Sequence, residues 1–294
     1  MGKGKMKFGY LFLCIGLTVF FAGCQEEDEP INNEIINYSV KVSSFNIRFD
    51  NPADGENNWH NRKSSVVQFI KAQNMQIVGM QEVLNNQFNY LVDNLGDYQS
   101  VGVGREDGLT KGEYAPIFFL KDEFTLLDSG TFWLSQTPTE PSIGWDAVLE
   151  RICTYAILQD NRNDREIHFY NTHFDHVGDE ARIESARLIM DSIAAKSSGN
   201  WVVLTGDLNA EPDDLPYDVL ISGGLDDAFF SKARFGPVGT FNGFNLDGPH
   251  QRRIDYILMN GFSSEYYENN NLIVNGNYIS DHFPVLARLE YRPL

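Results

Sequence analysis

Residues 202–212 read VVLTGDLNAEP and carry both a structural and a chemical signal. The apolar and β-branched run before Gly206 predicts a buried strand that ends at Asp207 and Asn209. Asp and Asn are common in turns, so this ending alone requires no function. Side chains two residues apart in an extended chain point to the same side. We therefore expect Asp207 and Asn209 to face one common point.

Five further segments place a carboxylate, an amide or an imidazole at the border of a predicted strand. They are Asn46 in SSFNI, Gln81 and Glu82 after IVGM, Asn171, His173, Asp175 and His176 in FYNTHFDH, Asp255 in RRIDYIL, and Asp281 and His282 in NYISDHFPV. Asp255 is flanked by Ile254 and Tyr256, which places its carboxylate near the core. Because a buried charge needs a partner, a histidine or an arginine is expected beside it.

These polar side chains are rich in oxygen donors, which suits a hard cation such as Mg²⁺ or Mn²⁺. The Cys and His clusters typical of a structural zinc site are absent from the sequence. A hard cation, histidines and a carboxylate together can catalyse the attack of water on a phosphoester, because the metal polarises a phosphoryl oxygen and a base prepares the water. The pattern therefore predicts metal-dependent phosphoester hydrolysis.

The ordered set SFNI, QE, NTHFDH, GDLNAEP, RIDYI and SDHFPV resembles the DNase I-like endonuclease/exonuclease/phosphatase superfamily. The resemblance covers nearly the whole mature chain. The stretch YAPIFFLKDEFTLLDSGTFWLS, followed by GWDAVLERICTYAIL, is similar to a bacterial branch near the deadenylase-like members. The resemblance implies an α+β fold, a four-layer α/β/β/α sandwich in which two mixed, mostly antiparallel sheets pack face to face between outer helices.

The resemblance also implies a role for each residue of the catalytic group. Asp207 would orient or deprotonate the attacking water, and Asn209 would donate to a phosphoryl oxygen. His282 would pair with Asp255 and act either as a base or as a stabiliser of the transition state. His173 would hydrogen-bond the phosphate.

Six other residues complete the expected site. Glu82 is implied as the principal metal ligand, with Asn46 beside it and Asp281 as a second carboxylate on the metal side. The substrate-side candidates are Glu113, as a partner that orients His173, Arg151, as a phosphate-binding cation, and Phe241, as a stacking surface. For Arg151 a surface position in a strand is the alternative, and for Phe241 a core position is the alternative.

The N-terminal segment predicts export. Three lysines precede the apolar run from residue 8 to residue 22, which is long enough for a signal peptide and short for a membrane span. The run ends FAGC, which resembles a bacterial lipobox and predicts lipidation of Cys24. A simple secretory signal is the alternative. The expected organisation is a signal peptide at 1–23, an acidic tether at 24–36 and one domain at 37–294, anchored by lipid in the cell envelope. The acidic stretch after Cys24 resembles the surface-export signal of some Gram-negative lipoproteins, which predicts exposure on the outer membrane.

The charge of the mature chain bears on its substrates. Without residues 1–23, which contain three lysines and no acid, 20 basic residues face 41 acidic ones, a formal charge of −21. A surface of this sign disfavours long duplex nucleic acid and favours a small or short substrate. Nucleotides, oligonucleotides, sugar phosphates and lipid headgroups remain open. Two alternative functions are a binding lipoprotein that has lost catalysis and an extracellular nuclease.

Sequence periodicity predicts many strands and few helices. Helices are expected at 60–73, 84–95 and 180–196, where apolar residues recur at helical spacing. Strand-like runs are expected at 38–47, 76–80, 115–120, 124–135, 151–158, 166–174, 201–206, 253–259 and 284–291. Cys153, within ICTYAIL, is expected to be a buried thiol.

Overall fold

A computed structural model describes residues 1–7, 9, 11, 38–197 and 201–293. Residues Asn37–Leu294 form one compact unit. The α-helices of the described residues are α1 (Trp59–Gln73), α2 (Asn85–Asn94), α3 (Asp179–Lys196) and α4 (Leu215–Ser222). The strands of the described residues are β1 (Ser39–Asn46), β2 (Ile77–Gln81), β3 (Tyr98–Val101), β4 (Ile117–Leu120), β5 (Phe124–Trp133), β6 (Ile152–Asp160), β7 (Arg165–His173), β8 (Trp201–Asp207), β9 (Asp226–Asp227), β10 (Ala233–Phe235), β11 (Asp255–Asn260), β12 (Phe262–Asn269), β13 (Ile273–Val274), β14 (Asn277–Tyr278) and β15 (Val285–Tyr291).

Two large mixed sheets carry the fold. The first has the strand order β10-β12-β15-β1-β2-β4-β3, and the second has the order β5-β6-β7-β8-β11-β9. Most neighbours are antiparallel, and β1–β2, β7–β8 and β10–β12 are parallel. A two-stranded hairpin, β13–β14, lies outside both sheets.

Three apolar clusters separate the four layers. Between the sheets, Val42 and Ile77 of the first sheet lie in one cluster with Phe169 and Val203 of the second. The helices α1 and α2 cover the outer face of the first sheet. The helices α3 and α4 cover the outer face of the second sheet, where Cys153 is also buried. The predicted α/β/β/α sandwich is confirmed, and its amphipathic layers are stabilised by burial from both sides.

The helices follow the apolar spacing closely, whereas several short elements have no sequence signal. The predicted helices at 60–73, 84–95 and 180–196 correspond to α1, α2 and α3. The helix α4 was missed because eight residues give little more than two turns of periodicity. The strands β3, β9, β10, β12, β13 and β14 were missed as well. Most of these are only two to four residues long, which is too short for an alternation of polar and apolar residues to be recognised.

A buried polar network joins the two sheets behind the site. The side-chain oxygen of Asn171 accepts hydrogen bonds from Gln81 (2.6 Å) and Thr205 (3.0 Å). Its amide nitrogen donates to the backbone oxygens of Met80 (2.7 Å) and Pro116 (3.0 Å). Gly79 permits this close approach, because a Cβ atom there would lie 2.1 Å from the Thr205 hydroxyl. Gln81 and Asn171 therefore fix the spacing of the sheets and do not enter the pocket.

None of the helices in the described part of the chain is long and apolar enough to cross a bilayer. Cys24, the acidic tether and most of the predicted signal peptide lie outside the described residues. The lipid anchor and the predicted domain limits therefore stay predictions.

Candidate active site

The polar strand ends meet at one edge of the sandwich. In the second sheet, His173 is the register partner of Asp207, and Asp207 is the register partner of Asp255. These three residues lie side by side on β7, β8 and β11. In the first sheet, Asn46 ends β1, and the hydroxyl of Ser280 donates to its backbone oxygen at 2.7 Å. The segment that carries Asp281 and His282 is thereby held against the end of β1.

Asp207 lies at the centre of the site. Its Oδ2 atom accepts a hydrogen bond from the amide of Asn46 (3.0 Å), and its Oδ1 atom accepts one from the backbone N–H of Asn209 (3.0 Å). The Nε2 atoms of His173 and His282 lie 3.5 and 3.8 Å from Oδ2. Burial, together with the neighbouring carboxylate of Asp255, raises the pKa of Asp207 to about 7.

His282 is paired with Asp255, as expected. Its Nδ1 atom lies 2.8 Å from Oδ2 of Asp255, and both side chains are buried. Burial alone disfavours an imidazolium, but the attraction of Asp255 and Asp207 outweighs it and raises the pKa of His282 well above its usual range. His282 is therefore the charged imidazole of the site, and its Nε2 atom is a donor.

His173 is the neutral imidazole of the site. Burial lowers its pKa well below the usual range, and the positive charges of Arg151 and Arg105 add to this effect. Its Nε2 atom lies 3.1 Å from the side-chain nitrogen of Asn209. That nitrogen also donates to the backbone oxygen of Phe174 (3.0 Å), which fixes the orientation of the amide. In the structure, Nε2 of His173 is therefore an acceptor.

Glu113 lies behind His173, where the resemblance implied it. Its Oε2 atom is 3.7 Å from Nδ1 of His173, beyond hydrogen-bonding distance. The same carboxylate is held by both terminal nitrogens of Arg105, at 2.7 and 3.1 Å. Arg105, which has no recognisable sequence signal, thus fixes Glu113 and supplies positive charge beside His173.

The expected metal-side residues also converge. The amide nitrogen of Asn46 donates to Glu82 (3.1 Å) as well as to Asp207, so it cross-links two carboxylates. Its oxygen accepts the backbone N–H of Arg48 (3.0 Å) and is not turned towards Glu82. The Arg48 guanidinium lies 3.8 Å from Glu82 and 3.7 Å from Asp281.

The donor set fits a hard divalent cation. Glu82, Asp207 and His282 each place one potential ligand atom within 4.8 Å of the others. Burial, together with the nearby charge of Glu82, raises the pKa of Asp281. The crowded carboxylates would be relieved by a cation, and their oxygen atoms suit Mg²⁺ or Mn²⁺. Glu82 and Asp281 are the better candidates to hold it, because both carboxylates line the pocket and a hard cation prefers oxygen ligands to an imidazole.

Arg62 binds the backbone on both sides of the proposed metal-side residues. It lies on α1, is 4% exposed, and donates to the backbone oxygens of Ile47 (2.8 Å), Arg48 (3.3 Å) and Ile279 (2.9 Å). Burial lowers its pKa to about 10. Arg62 therefore ties the backbone beyond Asn46 to the backbone just before the Asp281 segment. The sequence does not reveal this role, because Arg62 lies on α1, 217 residues before Ile279.

The extended spacing expected for Asp207 and Asn209 is wrong. The strand β8 ends at Asp207, and Asn209 has a left-handed backbone with φ = 46°. The two side chains still meet the same pocket because the Asn209 N–H turns back to Asp207. Arg48 (φ 59°) and Glu82 (φ 61°) are left-handed too. Such conformations are disfavoured in non-glycine residues and are typical of functional sites.

A pocket of about 400 Å³ opens over these residues. It is lined by carboxylates, amides and imidazoles of the site and by three arginines, Arg48, Arg151 and Arg252. Phe241 lies in its wall, with its ring edge-on to His282 at a centroid distance of 5.1 Å. Phe241 is thus a wall residue rather than part of the core.

Arg151 is 4% exposed, so the alternative of a surface strand position is wrong. Its Nε atom lies 3.3 Å from Asp175, and one terminal nitrogen lies 3.0 Å from Nδ1 of His176. Asp175 and His176 were noticed in the NTHFDH segment but were given no role. Their pairing with Arg151 across 24 and 25 residues is a tertiary contact that no local pattern reveals.

The sequence profile of the Endonuclease/Exonuclease/phosphatase family matches residues 43–282. The chain belongs to this family. Members of the endonuclease/exonuclease/phosphatase superfamily are hydrolases that act on phosphoesters, and the matched span contains every residue of the candidate site.

Solved structures of family members are similar over most of the chain. A family member from Bacteroides vulgatus is 40% identical with a TM-score of 0.84, and the match covers 87% of this chain and all of that one. A mannosyl-6-phosphatase from Bacteroides thetaiotaomicron is 34% identical with a TM-score of 0.80, covering 85% and 99% of the two chains. The catalytic domain of human Nocturnin, at 18% identity and a TM-score of 0.69 over 87% and 96% of the chains, shares the fold.

Proposed function

We propose that the protein is a divalent-metal-dependent phosphoesterase that hydrolyses a small or short phosphoester. The observation that supports this most directly is the convergence on Asp207 of an amide, a neutral imidazole and a charged imidazole, within 3.0–3.8 Å. The same pocket holds the Glu82 and Asp281 carboxylates.

Asp207 is the residue proposed to receive the proton of the attacking water. Its pKa of about 7 leaves much of the carboxylate ionised near neutrality while keeping it basic enough to accept a proton. The hydrogen bonds from Asn46 and Asn209 hold both carboxylate oxygens in place. Asp207 therefore orients the water before it takes the proton.

His282 is proposed to stabilise the phosphoryl group rather than to act as the base. As an imidazolium it has no free lone pair, and Asp255 keeps its Nδ1 atom paired. The Nε2–H group can donate to a phosphoryl oxygen as negative charge builds in the transition state.

Asn209 is proposed to bind the phosphate, and His173 to hold the Asn209 amide in position until the phosphate arrives. Both hydrogens of the Asn209 amide are occupied in the structure, by His173 and by Phe174. A phosphoryl oxygen that enters between Asn209 and His173 would take over the hydrogen that His173 now accepts. Hydrogen bonds of this kind commonly rearrange when substrate binds.

Glu82 and Asp281 would hold a Mg²⁺ or Mn²⁺ ion, with Asn46 fixing the Glu82 carboxylate. When bound, the ion supplies Lewis acidity at a phosphoryl oxygen. Arg48, which lies between the same two carboxylates, would offer its positive charge to the remaining phosphoryl oxygens.

The pocket and the charge support a small substrate. A volume of about 400 Å³ suits a sugar phosphate, a nucleotide or a lipid headgroup. The mannosyl-6-phosphatase among the similar structures supports a sugar phosphate in particular. The formal charge of −18 for the whole chain argues against loose binding of long duplex nucleic acid.

Attachment to the cell envelope through a lipid on Cys24 is part of the proposal. It is supported by the FAGC sequence after the apolar run and by the acidic segment that follows. Replacement of Cys24 by Ala should release the protein from the membrane fraction of its host. Retention of the Cys24→Ala protein in that fraction would contradict lipid anchoring.

The proposed activity is tested with p-nitrophenyl phosphate and bis-p-nitrophenyl phosphate, each with Mg²⁺, Mn²⁺ or EDTA. Hydrolysis of at least one ester is expected with metal and not with EDTA. Asn209→Ala and His282→Ala should each lose it, whereas His60→Ala, a change on the exposed side of α1, should not.

Calorimetric melting with and without Mg²⁺ distinguishes a catalyst from a binding protein that has lost its metal site. A bound ion raises the melting temperature by mass action. Full activity in both Asn209→Ala and His282→Ala, or no response to metal in melting and in turnover, would refute the proposal.

A further inference from the structure

A small cavity, distinct from the large pocket, lies against His173. It has about 10 Å³ of room for the centre of a water molecule, which is enough for one water. Its charged and polar walls include Arg105, Glu113, Arg151 and His173. Glu113, Arg151 and His173 also line the large pocket, so the two spaces share these walls. We call this second space the rear cavity.

Three nitrogen atoms of these wall residues have no hydrogen-bond partner within the residues that the structure describes. They are Nε of Arg105, Nη1 of Arg151 and Nδ1 of His173, and all three are buried. Unpartnered buried polar groups are rare in folded proteins. Three of them on the walls of one water-sized space indicate a shared partner within that space.

The two arginines are held in place by other partners. Both terminal nitrogens of Arg105 donate to Glu113, at 2.7 and 3.1 Å. Arg151 donates through Nε to Asp175 (3.3 Å) and through its other terminal nitrogen to His176 (3.0 Å). The unpartnered nitrogen of each guanidinium is therefore fixed in direction, and both can donate to one water.

Glu113 can accept a hydrogen bond from such a water. Its Oε2 atom is 3.7 Å from Nδ1 of His173, too far for a direct hydrogen bond. Each carboxylate oxygen has more than one lone pair, so Glu113 can accept from a water while it keeps Arg105. A water accepts two hydrogen bonds and donates two. Arg105, Arg151 and Glu113 account for three of the four, and the fourth is a hydrogen directed at Nδ1 of His173.

His173 cannot accept that fourth bond in the tautomer that Asn209 imposes. Asn209 donates to Nε2 of His173 at 3.1 Å, which leaves the hydrogen of the neutral ring on Nδ1. The rear cavity then has three donors, one more than a water can accept. With the hydrogen on Nε2 instead, Nδ1 is an acceptor and all four bonds of the water are made. Asn209 and the rear cavity thus favour opposite tautomers of one ring.

We propose that the rear cavity binds one water molecule, through which the hydrogen of His173 moves from Nδ1 to Nε2 when a phosphate takes over the hydrogen bond of Asn209. The water accepts the Nδ1 proton and passes one of its own to Glu113, which also lines the large pocket and returns a proton to solvent there. Nε2 takes a proton from solvent in the large pocket, so the ring stays neutral. Nε2 then donates to the phosphoryl oxygen that its lone pair would repel. The water site does not depend on the proposed function, whereas the change of tautomer rests on it.

A high-resolution crystal structure of the ligand-free protein tests the water site. We expect one peak of solvent density in the rear cavity, within about 3.2 Å of Nε of Arg105 and of Nη1 of Arg151. Crystals soaked in bromide should show no anomalous signal at this position. Absence of the solvent peak, or a bromide ion in its place, would overturn the inference.

The tautomer of His173 is read from long-range proton–nitrogen correlation spectra of the Mg²⁺-loaded protein. Without ligand, the protonated nitrogen of His173 should be Nδ1, and with saturating inorganic phosphate it should be Nε2. The signals of this ring are assigned by their loss in His173→Gln. The same tautomer with and without bound phosphate would overturn the proposed exchange.

Arg105→Lys removes the Nε donor of the rear cavity and keeps a positive charge. In titration calorimetry it should weaken phosphate binding by about three- to tenfold, the effect of one hydrogen bond, because the water that supports the Nε2–H tautomer is held less firmly. Arg187→Lys, the same change at an exposed position of α3, should bind phosphate as the wild type does. Equal phosphate affinities of Arg105→Lys and the wild type would contradict the role of the water.

The proposed function fails in a different way from the water site. If the metal-loaded protein bound no phosphate and hydrolysed neither ester, the proposed function would be wrong, and the change of tautomer would be wrong with it. The crystal structure of the ligand-free protein would still decide whether the rear cavity binds a water.

Discussion

The two buried histidines of the pocket have opposite electrostatic surroundings. His282 faces the carboxylates of Asp255 and Asp207, and its pKa is raised. His173 faces the arginines Arg151 and Arg105, and its pKa is lowered. Burial disfavours the charged form of both rings, so the sign of the neighbouring charge decides the outcome.

This difference gives one residue type two roles in a single site. A protonated imidazole can stabilise developing negative charge, while a neutral ring can accept hydrogen bonds. The halves of the pocket are correspondingly unlike. Carboxylates of β8, β11 and the Asp281 segment surround the charged ring, whereas the neutral ring has Arg151 and Arg105 nearby as well as the carboxylates of Asp207 and Glu113.

The largest expected effect is the loss of the charged ring. His282→Ala should reduce kcat by about 10³-fold at saturating Mg²⁺, within the range for a positioned proton-donating group. Asp255→Asn should reduce kcat less, because the imidazole of His282 remains but loses the carboxylate that stabilises its positive charge. Steady-state kinetics with circular dichroism as a folding control measure this, and an unchanged kcat in His282→Ala would contradict the assigned role.

Loss of the neutral ring should cost less. His173→Ala is expected to reduce kcat/KM by about 10²-fold, because Asn209 loses the acceptor that orients its amide. His173→Gln can still accept that hydrogen bond and should retain more activity than the alanine variant. If His173 variants were more severely impaired than His282 variants, the contrast between the two rings would have to be abandoned.

The free energy of unfolding of the metal-free protein should depend on pH with opposite signs for the two rings. The raised pKa of His282 gives stability that is complete below pH 6.5 and is lost as the pH rises towards the folded-state pKa. The lowered pKa of His173 has no effect on the free energy of unfolding above pH 6.5, where the ring is neutral in both states. As the pH falls below 6.5, the unfolded chain binds a proton that the folded protein does not, and the stability of the folded protein decreases.

Urea denaturation between pH 5 and 8 measures both effects against His282→Gln and His173→Gln. The quantity compared is the free energy of unfolding of the wild type minus that of each variant. Because one proton is involved, this difference should change by at most about 1.4 kcal/mol per pH unit. The His282 difference should shrink above pH 6.5, and the His173 difference should shrink below it. Equal slopes would mean that the two rings titrate alike.

The smallest expected change tests the cause of the contrast. Arg105→Met removes one positive charge near His173, so the pKa of His173 should rise while that of His282 stays the same. Proton–nitrogen correlation spectra of the imidazoles across a pH series report each ring separately. A shift of both rings, or of neither, would assign the difference to burial instead of to the arginines.

The sequence predicted the site better than its surroundings. Asp207, Glu82 and Asp255 were recognisable because each interrupts or ends an apolar run, and a strand end is where a polar side chain can leave the core. The four-layer fold followed from the ordered motifs. Both depend on local pattern or on family resemblance.

What the sequence missed depends on contacts between distant segments. Arg62 acts through the backbone oxygen of Ile279, 217 residues away, and Arg151 through Asp175 and His176, 24 and 25 residues away. An arginine in a sequence does not reveal its partner. The left-handed turn at Asn209 was missed for a related reason, since its conformation is imposed by hydrogen bonds to His173 and Phe174.

The position of β15 has a consequence for the order in which the protein becomes active. This strand lies between β1 and β12, and Glu290 is the register partner of Ser39 at the start of the domain. During synthesis, β1 can pair early with β2 but must wait for almost the whole domain before β15, its other neighbour, exists. Asn46 and His282 belong to segments that meet only when β15 docks. Hydrolytic activity should appear in one late step, when the last strand closes the first sheet.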